Sequence, residues 1–207
     1  MKVMRRLSII CLAVMMLLTV LAGCGSKKVI DNPKEFEEYL APYDLSLPIK
    51  FEIVFSSGEI VEGEMEYHNA PITVGNFVKL CSEGFYDGLT IHRTKADKLI
   101  QGGDKEGTGG GRLDYAIRGE FADNGWNNRL QHLRGTISMA RWADDMNSAD
   151  SQFFIVIEKS YGFDGQYAAF GTITKGMPYI EELSRLDDGN EKPTEPIVIE
   201  TIRITGN

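Results

Sequence analysis

Cysteine is nearly missing from this chain, with three in 207 residues. Cys11 lies in an apolar N-terminal run and Cys24 at its end, which leaves the remainder with Cys81 alone. One thiol closes no internal disulfide, so the domain must be held by its core. With 43% hydrophobic residues and a length typical of one domain, it can be. Histidine is as scarce: His68, His92 and His132 stand far apart, without the paired ligand spacing of a metal site. Basic residues are outnumbered, with 22 Lys and Arg against 30 Asp and Glu and a net charge of −8. That balance argues against nucleic acid and anionic lipid headgroups as partners.

Familiar catalytic motifs are lacking too. Gly102 to Gly107 has the spacing of a phosphate loop, but Thr108 and Gly109 follow where Lys and Ser or Thr are needed. No helix signal comes after it to face a phosphate. Ser138 in "GTISMA" lacks the glycine-flanked elbow of a hydrolase nucleophile. No acid–base pair stands out, and there is no internal repeat or low-complexity tract.

What is present begins with a leader. Lys2, Arg5 and Arg6 precede Leu7–Gly23, a run of 17 apolar or small residues. That is short for a spanning helix, which needs about 20, and has the layout of a secretory signal. It ends in "LAGC", Leu21 to Cys24, which resembles the bacterial lipobox. Cleavage before Cys24 removes 23 residues carrying three basic and no acidic groups, leaving 184 residues and a formal charge of −11. Membrane association is then expected through lipid on Cys24 and not through a basic face, on the extracytoplasmic side of a bacterial membrane. The expected organisation is a signal over 1–23, a lipid-anchored tether over 24–47 and one domain over 48–207. Gly25 to Leu47 is polar and proline-marked, with a short helix candidate at "PKEFEEYL", and reads as a spacer of modest order.

From Pro48 the patterning changes. "IKFEIVF" and "EIVEGEMEY" alternate apolar and polar residues around "SSGE", a hairpin signature. "TVGNFVKLCSEG" spaces Val74, Phe77, Val78 and Cys81 as a helix does, with Thr73 as N-cap and Gly84 closing it. Cys81 falls on its apolar face and reads as inert core. Short strands follow at "LTIHR", "LIQGG", "TISMA", "SQFFIVIE", "AAFGTIT" and "IVIETIRIT", with a second helix at "MPYIEELSRL". Many short strands with two helices suggest a closed antiparallel barrel.

The segments "APITVGNFVKLCSEGFYDGLTIHR", "QGGD", "GTGGG", "GTISMAR", "SQFFI" and "DGQYAAFG" resemble, in order and approximate spacing, the cyclophilin family of peptidyl-prolyl isomerases. The likeness runs from about Ile49 to the C-terminus. It implies a mainly β fold: a closed eight-stranded antiparallel barrel capped by two α-helices, with a peptide groove on one outer face. It also implies a monomer that binds proline-containing segments of unfolded or surface proteins and uses no cofactor or metal. Arg93 matches the family's catalytic arginine, with Gln101 beside it. Phe154 would be the pocket floor, Leu99 and Phe163 its walls. Gln101 and Gln152 would bond the peptide and orient Arg93, Ala140 and Arg141 would offer it backbone, and Gly107 with the glycines after it would line the groove. Tyr167 stands where some members carry histidine.

Two positions depart from the pattern. Lys98 replaces a pocket phenylalanine within "TKADK", and Gly162 replaces an expected aromatic or histidine. A working isomerase of reduced or shifted activity is the expectation, with Lys98 laying its methylenes over the proline. The alternative is a catalytically weak or inactive peptide-binding module, its pocket wetted by the Lys98 ammonium. A ligand-binding lipoprotein serving a transporter is disfavoured, because the chain is too short for the usual two lobes.

Overall fold

The computed structural model describes residues 27–207, so the leader, the lipobox and Cys24 lie outside the described residues. The strands are β1 (Lys28–Ile30), β2 (Ile49–Phe55), β3 (Ile60–Met65), β4 (Thr90–Lys95), β5 (Leu99–Asp104), β6 (Tyr115–Ile117), β7 (Thr136–Met139), β8 (Phe153–Val156), β9 (Ala169–Lys175) and β10 (Ile197–Gly206). The helices are α1 (Glu37–Leu40), α2 (Pro71–Ser82) and α3 (Met177–Ser184). Eight strands close an antiparallel barrel in the order β10-β2-β3-β9-β7-β8-β5-β4. Closure removes every bare edge from this sheet. The expected barrel is thus the observed one, with the two expected helices α2 and α3, and the single-turn α1 falls within the helix candidate "PKEFEEYL".

Alternation explains which face each strand buries. In β2, Ile49, Phe51, Ile53 and Phe55 are buried while Lys50 is exposed. They join one large core with residues of α2, where Phe77 meets Phe51, Tyr86, Phe153 and Phe170 at ring-centroid distances of 5.1–5.8 Å. Cys81 is buried among them, and burial pushes its thiol pKa well up, as an inert core cysteine requires.

The start of α2 differs from expectation. The helix begins at Pro71, where a missing N–H is no loss, and Thr73 lies inside it as a buried residue. Its first free donors are capped from afar: Glu120 Oε1 accepts from Ile72 N at 2.9 Å and Oε2 from Thr73 N at 2.7 Å. At the other end Gly84 takes the left-handed conformation expected of it, φ +65°.

The spacer expectation is corrected from Lys28 onward. β1 pairs in parallel with β6, and a 3-10 turn over Pro33–Phe36 runs into α1. Phe36 and Leu40, four apart, point the same way and are 1% and 3% exposed. Phe36 lies against Gly75 of α2, where a Cβ would stand only 2.7 Å from it. Burying each such side chain contributes about 1.5–3 kcal/mol toward ordering the segment. Among the described residues no helix is long and apolar enough to cross a membrane.

Candidate functional site

Register builds the site. Arg93 on β4 pairs directly with Gln101 on β5, which pairs with Phe154 on β8, which pairs with Ser138 on β7. Directly paired residues share a face, and Leu99 joins them two positions before Gln101. Ile100 and Ile155, paired with each other, belong to the main core. Leu99, Phe154 and Val156 form a second small apolar cluster instead, edged by Ala140, Phe163 and Tyr167.

On that face opens a cavity of about 260 Å³ lined by Arg93, Leu99, Gln101, Ala140, Arg141, Phe154, Phe163 and Tyr167. Eight of the sequence-derived candidates therefore meet in one place. Phe154, Phe163 and Tyr167 contact one another edge-on, with centroids 5.3–5.5 Å apart and planes 67–89° from parallel. Such a ring triad is apolar and stiff. The Arg141 guanidinium covers the Tyr167 ring at 4.9 Å and is held by its Nε donating to the Gln166 carbonyl.

The polar edge is a directed chain. Arg93 Nη1 donates to Gln101 Oε1 at 3.1 Å, and Gln101 Nε2 donates to Gln152 Oε1 at 3.0 Å. Gln152 Nε2 then donates to the carbonyls of Gly109 and Gly111, at 3.1 and 3.2 Å. Each amide is oriented by the next, and the guanidinium by all of them. A second cavity of about 150 Å³ adjoins, sharing Gln101, Ala140 and Arg141 and adding Gly109, Trp142, Ser148, Asp150 and Gln152.

Gly107 is not brought to either cavity; the glycine facing the groove is Gly109. The glycine loop has another occupation. Asp104, 1% exposed, accepts from the backbone N–H groups of Glu106, Thr108, Gly109 and Gly111 at 2.6–3.3 Å. Burial pushes its pKa up, but these four donors outweigh it and hold the carboxyl below its ordinary value. A Cβ on Gly111 would collide with that carboxylate. The loop thus wraps an internal anion and not a phosphate.

Lys98 also stands apart from the cavity. Its ammonium pairs with Glu158, and both side chains are more than half exposed. No neighbour lies within 4 Å of where a Gly162 side chain would begin, so that wall is open.

Sequence reasoning missed two contributors. His132, weighed only as a metal ligand, is 1% exposed and stacks on Phe154. Its Nδ1 meets Asp164 Oδ1 at 2.8 Å and its Nε2 meets Ser138 Oγ at 2.9 Å. The carboxylate requires N–H at Nδ1, so Nε2 accepts from the serine hydroxyl in the neutral ring. Burial lowers the His132 pKa against the opposing pull of Asp164, which favours that neutral form. Glu191, the other, bonds Arg93 from a loop 98 residues away, a distance no local spacing could signal. Among the described residues no group of three or more His, Cys, Asp or Glu could hold a metal ion.

Comparison with known proteins agrees with this geometry. Residues 50–204 match the family described as cyclophilin type peptidyl-prolyl cis-trans isomerase/CLD. Peptidyl-prolyl cis-trans isomerase B of Bacillus subtilis is 39% identical over 134 residues, covering 65% of this chain and 90% of that protein. Peptidyl-prolyl cis-trans isomerase A of Dickeya dadantii is 35% identical over 162 residues, covering 73% and 83%. A crystal structure of a cyclophilin type peptidyl-prolyl cis-trans isomerase from Cryptosporidium parvum superposes with a TM-score of 0.70 at 28% identity, covering 78% of this chain and 99% of that one. The same protein in the presence of the dipeptide Ala-Pro gives 0.65 at 30% identity, covering 76% and 99%. The match runs from the first barrel strand to the last, and the chain belongs to the cyclophilin-type peptidyl-prolyl cis-trans isomerases.

Proposed function

We propose that this chain turns X–Pro bonds in secreted or surface proteins, with Arg93 as the catalytic donor, anchored by lipid on Cys24 outside the cytoplasmic membrane. The barrier to be lowered is roughly 18–20 kcal/mol, because amide resonance is lost midway. No nucleophile or proton transfer is needed. What helps is a donor aimed at the proline nitrogen, whose lone pair is free only in the twisted amide. An interaction made chiefly at that point lowers the barrier instead of tightening ground-state binding. Arginine suits the task because its charge is permanent and its donors lie in a rigid plane.

One observation carries the reading: Arg93 lines the same cavity as the apolar side chains of Leu99, Phe154 and Phe163, with Phe154 as its floor. Removing a preorganised donor typically costs about 3–4 kcal/mol. A rate gain of about 10⁵ needs roughly 7 kcal/mol, so the remainder falls to the ring-lined pocket that holds the proline. The Lys98 pairing with Glu158 supports catalysis over a merely binding module, since it draws the ammonium away from the apolar wall. The acidic surface and the lipobox-like "LAGC" support the extracytoplasmic, lipid-held setting.

The test is cis-to-trans exchange on a panel of X-Pro peptides, using the full-length chain in mild detergent and its Arg93→Ala variant. Equal rates would sink the catalytic reading. Lipid incorporation with and without Cys24→Ser tests the anchor, and labelling that persists in the variant would remove it.

A further inference from the structure

Glu191 lies in the loop joining α3 to β10, with its backbone at φ +61°. A side chain in that left-handed region costs roughly 1–2 kcal/mol. The loop is nevertheless built to hold it there. Asp187 Oδ1 accepts from the N–H groups of Gly189 and Glu191 at 2.9 and 3.0 Å, and Asp188 N donates to the Lys192 carbonyl at 2.8 Å. The Glu191 carbonyl in turn accepts from Thr94 N on β4 at 3.2 Å.

This conformation lays the carboxylate along β4. Oε2 accepts from Arg93 Nε at 2.7 Å and lies 2.5 Å from Nη2, while Oε1 accepts from Lys95 Nζ at 2.7 Å. An arginine side chain has five N–H donors in one plane. Glu191 takes two and Gln101 one, which leaves one donor on each terminal nitrogen of a guanidinium that lines the pocket. With Gln101 alone, the plane could swing about its last side-chain torsions. With Glu191 on the opposite edge it is clamped.

Resting on the isomerase reading, we infer that Glu191 is a second positioning residue for X–Pro rotation, aiming the two remaining donors of Arg93 before substrate arrives. A donor acts on a transition state only so far as it is aimed in advance. Surface stability alone does not account for the arrangement. Arg93 and Glu191 are 39% and 36% exposed, and such ion pairs contribute little. At φ +61° glycine would relieve the backbone at no steric loss.

That contrast supplies the experiment. In the full-length chain, Glu191→Gly removes the clamp while relaxing the backbone, and Glu191→Gln keeps an acceptor for Arg93. The expected result is that Glu191→Gly lowers kcat about tenfold or more, with KM within about twofold and no loss of Tm. Glu191→Gln should restore most of the rate. The Arg93 Nε–H resonance should exchange slowly in the wild type and in Glu191→Gln, and quickly in Glu191→Gly. A Glu191→Gly kcat equal to wild type would overturn the inference, as would a Glu191→Gln rate as low as that of the glycine variant. A wild-type rate no higher than Arg93→Ala would instead overturn the isomerase reading, and this inference with it.

Discussion

The imidazole of His132 lies nearly parallel to the ring of Phe154, with centroids 5.9 Å apart and planes 13° from parallel. The pocket floor therefore rests on a ring that is itself pinned by Asp164 and Ser138. His132→Ala should leave a buried hydroxyl unpaired and the floor unsupported, destabilising by about 2–4 kcal/mol and cutting kcat/KM about tenfold. Denaturant melts and exchange rates check both.

The same histidine sets a pH dependence. Its folded pKa lies below the ordinary 6.5, so the unfolded chain binds a proton first as pH falls. Stability from this group is complete above pH 6.5 and is lost as pH drops through the lower folded value. Calorimetric melts between pH 8 and pH 5 should show that loss in the wild type and not in His132→Gln.

Glu120 should act with the opposite sign. Burial raises its pKa to about 7, against the N–H groups of Ile72 and Thr73 that favour the carboxylate. A raised pKa gives stability that is full below the ordinary 4.5 and declines as pH rises through about 7. Glu120→Gln keeps acceptors for α2 without a buried charge. Its Tm should lack that decline, and parallel Tm profiles for the two proteins would refute the assignment.

Gln152 joins the arginine chain to the glycine loop. Gln152→Leu deprives Gln101 of its acceptor and the carbonyls of Gly109 and Gly111 of their donor. The expected outcome is about 1–3 kcal/mol of lost stability and a fall in kcat exceeding any change in KM.

Lys98 should matter little as lysine. Its side chain runs to Glu158 at the surface, so Lys98→Ala should change stability by less than about 0.5 kcal/mol. Its exchange rate should stay near wild type. Lys98→Phe would extend the apolar wall beside Leu99 and should raise kcat/KM roughly threefold to tenfold. An unchanged rate would show that the open wall is not what limits this pocket.

Much of this was legible in the sequence. Alternation in "IKFEIVF" and its successors located the eight barrel strands, and six motifs in register gave closure and the pocket residues. β1 and β6, three residues each, are too short to show a period. The polar sequence around Phe36 and Leu40 hid the two side chains that seat α1. Charged partners were the least legible, because Glu191 meets Arg93, and Glu158 meets Lys98, only through tertiary placement. Lys98 was assigned by position to a wall from which its side chain turns away.

The seating of Phe36 and the pairing of β1 also fix a radius of action. A loose segment from Cys24 to Leu47 would let the barrel roam far from any bilayer holding its lipid. With the chain paired to β6 from Lys28, only four peptide links separate Cys24 from folded structure, at most about 14 Å of reach. Were Cys24 lipidated as proposed, so short a link would hold the domain against its membrane.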